Sequence, residues 1–241
     1  MKVKNSFITM AFLLVFTFLC NPAFASPYED FDFEDITCWV GEGENEAAMV
    51  IQWVTDTDEV LSLAWGYRWD GTAYAVDMMS AIAQISDTSG TEWYANGYDS
   101  RLYMNTEYYE GLGYAFIGFG YDVDNDGFTY VSGPSLTGYA EDPDDVYIEG
   151  WTDGYWSYYV YDEGDSGFSY SGWGASSREL LDGSWDGWGY SGSAVYGVGT
   201  IPGTPVAAQS SAVPIPGAVW LLGSGLLGLI GMKRRNNSSH D

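Results

Sequence analysis

Large apolar side chains alternate with small or polar ones from Leu61 to Trp69. Leu61, Leu63, Trp65, Tyr67 and Trp69 occupy the odd positions, and Ser62, Ala64, Gly66 and Arg68 lie between them. Successive side chains of a β-strand point to opposite faces, so this period of two predicts a strand with one face on a core. Asp70-Gly71 then ends the strand with a turn signal.

Further strands are predicted on both sides of this one. Ala47 to Val54 has the continuous apolar character of a buried strand, and "TCWVG" precedes it after a Gly-rich turn. The later strand-like pieces are "GYAFIGFGY", "GFTYVSG", "GYWSYYVYD" and "GFSYSGWG". Gly, Asp, Asn and Ser separate these pieces at the spacing typical of an antiparallel sheet.

Two segments favour helix. In "AYAVDMMSAIAQI", Met78, Ile82 and Ile85 fall on one stripe. "SSRELLDG" predicts a short helix that Ser176 or Ser177 caps and Gly183 ends. We therefore expect a mainly β domain over 26–196, an antiparallel sheet or sandwich with one or two short helices. A Gly/Pro/Ser/Ala linker is expected over 197–212.

The charge balance of this region excludes several classes of function. Between Ser26 and Ala212 there is no Lys and no His, and the basic residues are Arg68, Arg101 and Arg178. The chain carries 34 Asp and Glu, so nucleic acid is excluded as a partner, whereas cations are attracted. The single His, His240, lies outside this region, which argues against Ser-His chemistry and His-ligated zinc. Arg68 and Arg178 are expected to pair with carboxylates inside the fold rather than to clamp a ligand.

The N-terminus predicts a secretory signal peptide over 1–25. Lys2 and Lys4 precede an apolar run that ends at Cys20, and Ala23-Phe24-Ala25 forms a small-x-small cleavage site. Removal of this segment would leave Cys38 as the only cysteine. Its strand-like context predicts a small buried residue rather than a reactive thiol.

The C-terminus combines three features in order. Val213, Pro214, Ile215 and Pro216 precede an apolar helix expected at about 217–232, and Lys233, Arg234 and Arg235 follow it. Ala218 to Met232 would span about 22 Å as a helix, short of the roughly 30 Å of a bilayer core. The basic residues favour a cytoplasmic end, so the helix is predicted to be a marginal membrane stop. A simple single-pass anchor is the alternative.

This tripartite end resembles the PEP-CTERM sorting signals of Gram-negative bacteria, in a variant that begins Val-Pro-x-Pro. Ile-Pro stands where the family's name-giving motif has Glu-Pro. The resemblance implies recognition of 213–241 by an exosortase, an inner-membrane intermediate, and final placement at the cell surface or in the extracellular matrix. The stretches "VGEGENEAAMVIQW" and "LAWGYRWDG" also resemble a domain of bacterial surface proteins for which no activity is settled, so this second resemblance implies none.

The motif "DVDNDG" suggests a calcium site. Asp122, Asp124 and Asp126 alternate before Gly127, as in the first half of a calcium loop of the EF-hand type. Gly133 stands where the bidentate Glu of such a loop belongs, so a solvated Asp-rich turn is the alternative. A second acidic group, Glu141, Asp142, Asp144 and Asp145, is more typical of a solvated loop.

Aromatic residues among Gly and Asp suggest a ligand platform, because rings stack on sugar C–H faces while acids accept hydroxyl hydrogen bonds. The candidates are Trp151, Tyr155, Trp156, Trp173, Trp185 and Trp188. Core packing of these residues is the alternative, since alternation turns half of any such set inward.

The sequence therefore predicts an exported envelope or matrix protein with a structural or glycan-binding role and no catalysis. Its expected partners are an exosortase, the membrane through the C-terminal helix, and an exopolysaccharide or another envelope ligand. The alternative is an acidic extracellular glycoside hydrolase that uses a carboxylate pair.

Overall fold

The computed structural model describes residues 25–54, 59–84, 92–96, 99–109, 113–131, 137–150, 154–192 and 200–211. Its strands are β1 (Trp39–Gly41), β2 (Asn45–Val54), β3 (Val60–Trp69), β4 (Glu92–Asn96), β5 (Leu102–Tyr109), β6 (Gly113–Tyr121), β7 (Tyr130–Val131), β8 (Tyr139–Ala140), β9 (Val146–Glu149), β10 (Tyr155–Tyr161), β11 (Ser169–Tyr170), β12 (Ser184–Ser191) and β13 (Val206–Ala207). A helix, α1 (Ala75–Ile82), and 3₁₀ turns at Phe33–Asp35 and Ala175–Ser177 complete these elements. The mainly β class is confirmed.

Several predicted features lie outside the described residues. They are the signal peptide up to residue 24, Ile85, Trp151, part of the linker at 197–199, and the whole sorting segment from Val213 to the basic residues Lys233, Arg234 and Arg235. In the described part of the chain, no helix combines the length and the apolar character that crossing a bilayer requires.

Two sheets form the body of the fold. The large sheet has the order β1-β3-β2-β12-β10-β11, and β13 pairs with β3 beside β1. The small sheet has the order β4-β5-β6-β9, and β7 and β8 form a separate hairpin. The small sheet is antiparallel, but β1–β3, β12–β2 and β13–β3 are parallel pairs. The large sheet is therefore mixed, which corrects the expected antiparallel arrangement.

The main core joins the facing sides of the two sheets. Trp53 of β2 is fully buried and donates its indole N–H to the Phe119 carbonyl oxygen of β6 at 2.8 Å. Trp156 of β10 packs edge-on against Phe119, with ring centroids 4.8 Å apart. Met78 and Ile82 of α1 are buried in the same core, which confirms those two positions of the predicted stripe. Burying such rings supplies most of the driving force for folding.

The opposite face of the large sheet is also covered. Trp185 of β12 is fully buried there, and the ring of Phe33 lies 4.8 Å from it between centroids. Phe31 and Tyr28 of the same N-terminal segment also contact Trp185. The large sheet is therefore buried on both faces, and its central strands carry large side chains in both directions.

The second predicted helix is wrong. "SSRELLDG" forms only a 3₁₀ turn at Ala175–Ser177, which begins after Gly174, and then runs extended. The Leu180 N–H donates to the Ala73 carbonyl at 2.9 Å, and the Ala75 N–H donates to the Arg178 carbonyl at 2.8 Å. The Leu180 N–H and the Arg178 C=O of this segment therefore form hydrogen bonds with the residues that lead into α1, and not within the segment as they would in a helix.

The end of the predicted linker packs against the large sheet. β13 pairs with Leu63 and Ala64 of β3, and Ala208 is fully buried. A Cβ atom at Gly189 of β12 would lie 1.8 Å from the Thr200 carbonyl oxygen. Glycine therefore lets this segment cross the strand at close range. Residues 200–211 are part of the domain rather than a free linker.

The prediction for Cys38 is confirmed. Its side chain is buried just before β1, and burial is the main cause that raises the pKa of its thiol to about 11. The thiolate is the reactive form, so this cysteine is chemically quiet at neutral pH.

Candidate functional site

The predicted ligand platform is divided by the fold. Trp156 and Trp188 are buried in the main core, and Trp185 is buried on the opposite face of the large sheet. Tyr155 is half-buried, whereas 75% of the Trp173 surface is exposed. The five of these six residues that the structure describes therefore do not form one continuous surface.

Four of the six nevertheless line one groove. Tyr155, Trp156, Trp173 and Trp188 surround a cavity of about 220 Å³ between the two sheets. We call this cavity the aromatic groove. The rest of its described lining is Ala115, Phe116, Tyr158, Tyr170, Ser171, Gly172, Gly174 and Ala175.

The exposed side of the aromatic groove is held by a tight turn after β11. The Ser171 N–H donates to the Tyr158 carbonyl at 2.8 Å. The Ser171 hydroxyl accepts the Trp173 N–H at 3.2 Å and donates to the Trp173 carbonyl at 2.8 Å. These bonds fix the backbone of Trp173, so its indole is exposed at a set position on the rim. Tyr170, which is 41% exposed, adds a second ring to that rim.

The floor of the groove rests on a buried polar network. Tyr158 stacks on Trp188 with ring centroids 4.4 Å apart and donates its hydroxyl to Asp186, a fully buried carboxyl of β12. Arg178 donates to Asp162 at 3.0 Å, and its Nε lies 3.6 Å from Asp186 Oδ1. The predicted pairing of Arg178 with carboxylates is confirmed, as is that of Arg68 with Glu46 at 3.5 Å.

Burial raises the pKa values of both Asp186 and Tyr158 in this network. Burial is the main cause that raises the pKa of Asp186 to about 6, and the Arg178 charge only partly opposes it. Burial and the Asp186 charge together raise the pKa of the Tyr158 phenol well above its usual value, so the phenol stays a donor. The network therefore holds the Tyr158 ring flat against Trp188.

The aromatic groove is suited to a ring-shaped polar ligand. Its rim offers indole and phenol faces, which stack on C–H surfaces, and its turn offers the Ser171 hydroxyl together with backbone groups. A sugar presents both kinds of surface.

The acidic loop at Asp122 to Gly127 forms the compact turn that the sequence predicted. Asp122 is buried and accepts the Asn125 N–H at 2.6 Å and the Gly127 N–H at 3.2 Å. Carboxylate oxygens of Asp122, Asp124 and Asp126 lie within 4.8 Å of one another. The charge of Asp124 is the main cause that raises the pKa of Asp126. The three side chains thus converge as the ligands of one cation would.

The second acidic group contacts this loop, which the sequence did not predict. Asp145 Oδ1 accepts the Val123 N–H at 2.9 Å, while its buried Oδ2 has no hydrogen-bond partner in the described part of the chain. Burial, reinforced by the charges of Asp122 and Asp142, raises the pKa of Asp145 to about 6. Asp145 is therefore a fourth carboxyl beside the loop.

Sequence reasoning missed Tyr170, and it assigned Asp145 to a solvated loop without connecting it to Asp122. Tyr170 belongs to the segment "GFSYSGWG", for which the sequence predicts a strand. The pattern does not indicate which aromatic rings the following turn exposes. Asp145 is separated from Asp122 in the chain, and only the pairing of β6 with β9 brings them together.

Comparisons with models of protein families, with curated proteins and with solved structures found no match to this chain.

Proposed function

We propose that this chain is an exported protein of the bacterial envelope or extracellular matrix that binds a glycan through the aromatic groove. The observation that carries the proposal is Trp173, whose indole is 75% exposed although its backbone is fixed on both sides by Ser171. Tryptophan and tyrosine are the residues that most often anchor binding partners, and here an exposed indole stands at the rim of an aromatic groove.

Two further features support a saccharide as that partner. Tyr170 and Tyr155 add phenol rings near Trp173, so the groove offers aromatic faces together with hydroxyl groups. The formal net charge of −26 disfavours anionic ligands in general, which leaves neutral or cationic glycans.

Titration calorimetry of the purified full-length protein with neutral and amino-sugar oligosaccharides tests this function. Trp173→Ala is expected to weaken binding about tenfold or more, since truncating an anchoring aromatic commonly costs more than about 1.4 kcal/mol. Leu181→Ala is the matched control, because Leu181 is also exposed, at 50%, and does not line the groove.

Equal affinities for the wild type and Trp173→Ala would contradict the aromatic groove as the site. Incubation of the same glycans with the protein also tests the alternative of a glycoside hydrolase. Turnover that a single Asp or Glu substitution abolishes would replace the binding function with an enzymatic one.

We further propose that the C-terminal segment is a sorting signal for an exosortase. The support is the order of its parts in the sequence, from Val213-Pro214-Ile215-Pro216 to Lys233-Arg234-Arg235. In a Gram-negative host that contains an exosortase, mass spectrometry is expected to find a new C-terminus near the proline motif. Intact Asp241 on freely soluble extracellular molecules would contradict the proposal.

Calcium is proposed as a structural ion at Asp122, Asp124 and Asp126. The convergence of their oxygens supports it, and so does the partnerless buried Oδ2 of Asp145 beside them. A hard divalent cation prefers such a set of oxygen ligands.

A further inference from the structure

A second cavity, of about 690 Å³, lies beside β8 and β9 and is separate from the aromatic groove. We call it the Glu149 cleft, after the carboxylate in its lining. The other described residues that line it are Val54, Thr137, Gly138, Tyr139, Ala140, Asp142, Pro143, Asp145, Val146, Tyr147, Ile148 and Tyr190.

The carboxyl group of Glu149 accepts three hydrogen bonds. Its side chain is only 4% exposed, and its Oε1 accepts the Tyr147 hydroxyl at 2.7 Å and the Asn105 amide at 3.1 Å. Its Oε2 accepts the Gly138 N–H at 2.9 Å. A carboxylate can accept about four hydrogen bonds, so within the described part of the chain one acceptor position of Oε2 is unused.

Two glycines make room for this arrangement. A Cβ atom at Gly138 would lie 2.7 Å from Glu149 Cδ, and one at Gly118 would lie 2.7 Å from the Tyr147 hydroxyl. Real Cβ atoms do not approach other heavy atoms this closely, so both positions require glycine if Tyr147 and Glu149 are to keep their places. The local backbone is thus matched to the buried carboxylate.

Among the residues that the structure describes, no basic side chain lines the cleft to balance Glu149. Asp142 and Asp145 also line it. Arg178 is paired with Asp162, and Arg101 donates to the Val123 carbonyl at 3.2 Å. A buried carboxylate without a counter-charge is costly, so a bound cation would stabilise this site strongly.

The walls of the cleft select the kind of cation. The phenol rings of Tyr139, Tyr147 and Tyr190 line it, and ring faces attract organic ammonium groups. A hard metal ion instead needs six or more oxygen ligands. Glu149 offers that one unused acceptor position, which suits a single N–H donor better than a metal.

We propose that the Glu149 cleft binds an organic ammonium group, either on a partly deacetylated amino-sugar chain or on a polyamine. One N–H of the ligand would donate to Oε2 of Glu149, the tyrosine rings would contact the flanking CH₂ or C–H surface, and the rim carboxylates would attract the positive charge. This site is independent of the aromatic groove.

Titration calorimetry of the purified full-length protein at about 0.15 M salt tests the proposal, because that ionic strength screens long-range attraction. The probes are a glucosamine oligomer, its N-acetylated counterpart, spermidine and calcium chloride. The glucosamine oligomer or spermidine is expected to bind, and the one that binds identifies the source of the amine. The N-acetylated oligomer, which lacks the charge, is expected to bind at least about tenfold more weakly at this cleft.

Three variants locate the binding. Glu149→Gln is expected to weaken ammonium binding at least about tenfold, because a buried charge-assisted hydrogen bond is lost. Tyr139→Ala is expected to weaken it several-fold, and since this ring is 58% exposed the variant should fold even if Glu149→Gln does not. Glu141→Gln is the control, because this substitution removes the same charge. Glu141 is exposed and does not line the cleft.

The inference is overturned if neither ammonium probe binds, if calcium alone binds, or if Trp173→Ala, whose aromatic groove is disabled, binds the N-acetylated and the glucosamine oligomers equally well. It is also overturned if Glu141→Gln weakens binding as much as Tyr139→Ala, since the attraction would then come from net charge. Trp173→Ala is expected to leave spermidine binding unchanged, so a failure of the aromatic groove would not be confused with a failure of this cleft.

Discussion

The buried carboxyl of Asp186 should make the stability of this protein increase as the solution becomes more acidic. Asp186 lies in the middle of β12, is fully buried, and accepts the Tyr158 hydroxyl on one oxygen. Its other oxygen, Oδ2, has no hydrogen-bond partner among the residues that the structure describes. Arg178 is near, but the guanidinium is shared with Asp162. Ionisation of Asp186 is therefore poorly compensated.

The magnitude follows from the pKa of this group. Burial raises it from an ordinary 3.8 to about 6, which corresponds to about 3 kcal/mol. Because the folded-state pKa lies above the unfolded one, the folded protein binds the proton more tightly between pH 4 and pH 6. The free energy of unfolding should thus rise by up to about 3 kcal/mol from this group as pH falls from about 7 to 4.

Urea unfolding of the full-length protein at several pH values from 7 to 4 measures this effect. In Asp186→Asn the carboxyl is absent, while the amide oxygen can still accept the Tyr158 hydroxyl. The difference in unfolding free energy between wild type and Asp186→Asn should shift by about 3 kcal/mol in favour of the wild type over this range. Lower pH also relieves repulsion among the other carboxylates, but that contribution is common to both proteins and cancels in the difference.

Glu163→Gln is the matched control, because Glu163 is exposed on the turn after β10. Its difference from the wild type should change far less with pH than that of Asp186→Asn. A difference between wild type and Asp186→Asn that stays constant from pH 7 to 4, or that moves in favour of Asp186→Asn, would refute the reasoning.

The remaining predictions concern the acidic loop, the crossing segment and the core. Calcium should raise the melting temperature of the wild type but not of Asp124→Asn, and an equal response of both to chelator would argue against the ion. Gly189→Ala should destabilise the protein and make the chain beyond Thr200 sensitive to protease, because the new Cβ would lie 1.8 Å from the Thr200 carbonyl oxygen. Unchanged proteolysis would contradict the close crossing. Trp53→Phe removes the indole N–H that donates to the Phe119 carbonyl and leaves unfilled space in the core, so chemical denaturation should show a loss of about 1–3 kcal/mol. A loss below about 0.5 kcal/mol would mean that water replaces the indole.

The parts of the fold that the sequence predicts are those whose signal is local. The alternation from Leu61 to Trp69 corresponds to β3, and the stripe of Met78 and Ile82 corresponds to α1. The central strand β12 was not predicted as a strand, since Gly and Asp are usually depleted in strands. The structure explains its composition: Gly187 and Gly189 admit the crossing segment, and Asp186 belongs to the network under Tyr158.

The candidate sites divide in the same way. The acidic loop is contiguous in the chain, so its three carboxylates could be named from the sequence. The aromatic platform could be named only as a set, because a sheet that is covered on both faces buries Trp185 on one side and Trp188 on the other. The Glu149 cleft has no local signal at all, since Asn105, Gly138 and Glu149 meet only through long-range strand pairing and loop packing.

The attachment of residues 200–211 to the large sheet determines how this domain responds to mechanical tension. A mechanical force on the chain beyond Ser211 is transmitted to the domain through a few contacts. The Ser211 N–H donates to the Asp99 carbonyl, the Gln209 N–H donates to the Tyr121 hydroxyl, and β13 makes a short parallel pairing with β3. Tyr121 and Ala208 reach the main core, but these contacts are few compared with the interleaved rings that join the two sheets. Under force the crossing segment should therefore detach first and lengthen the tether, while the cavities on the body keep their shape.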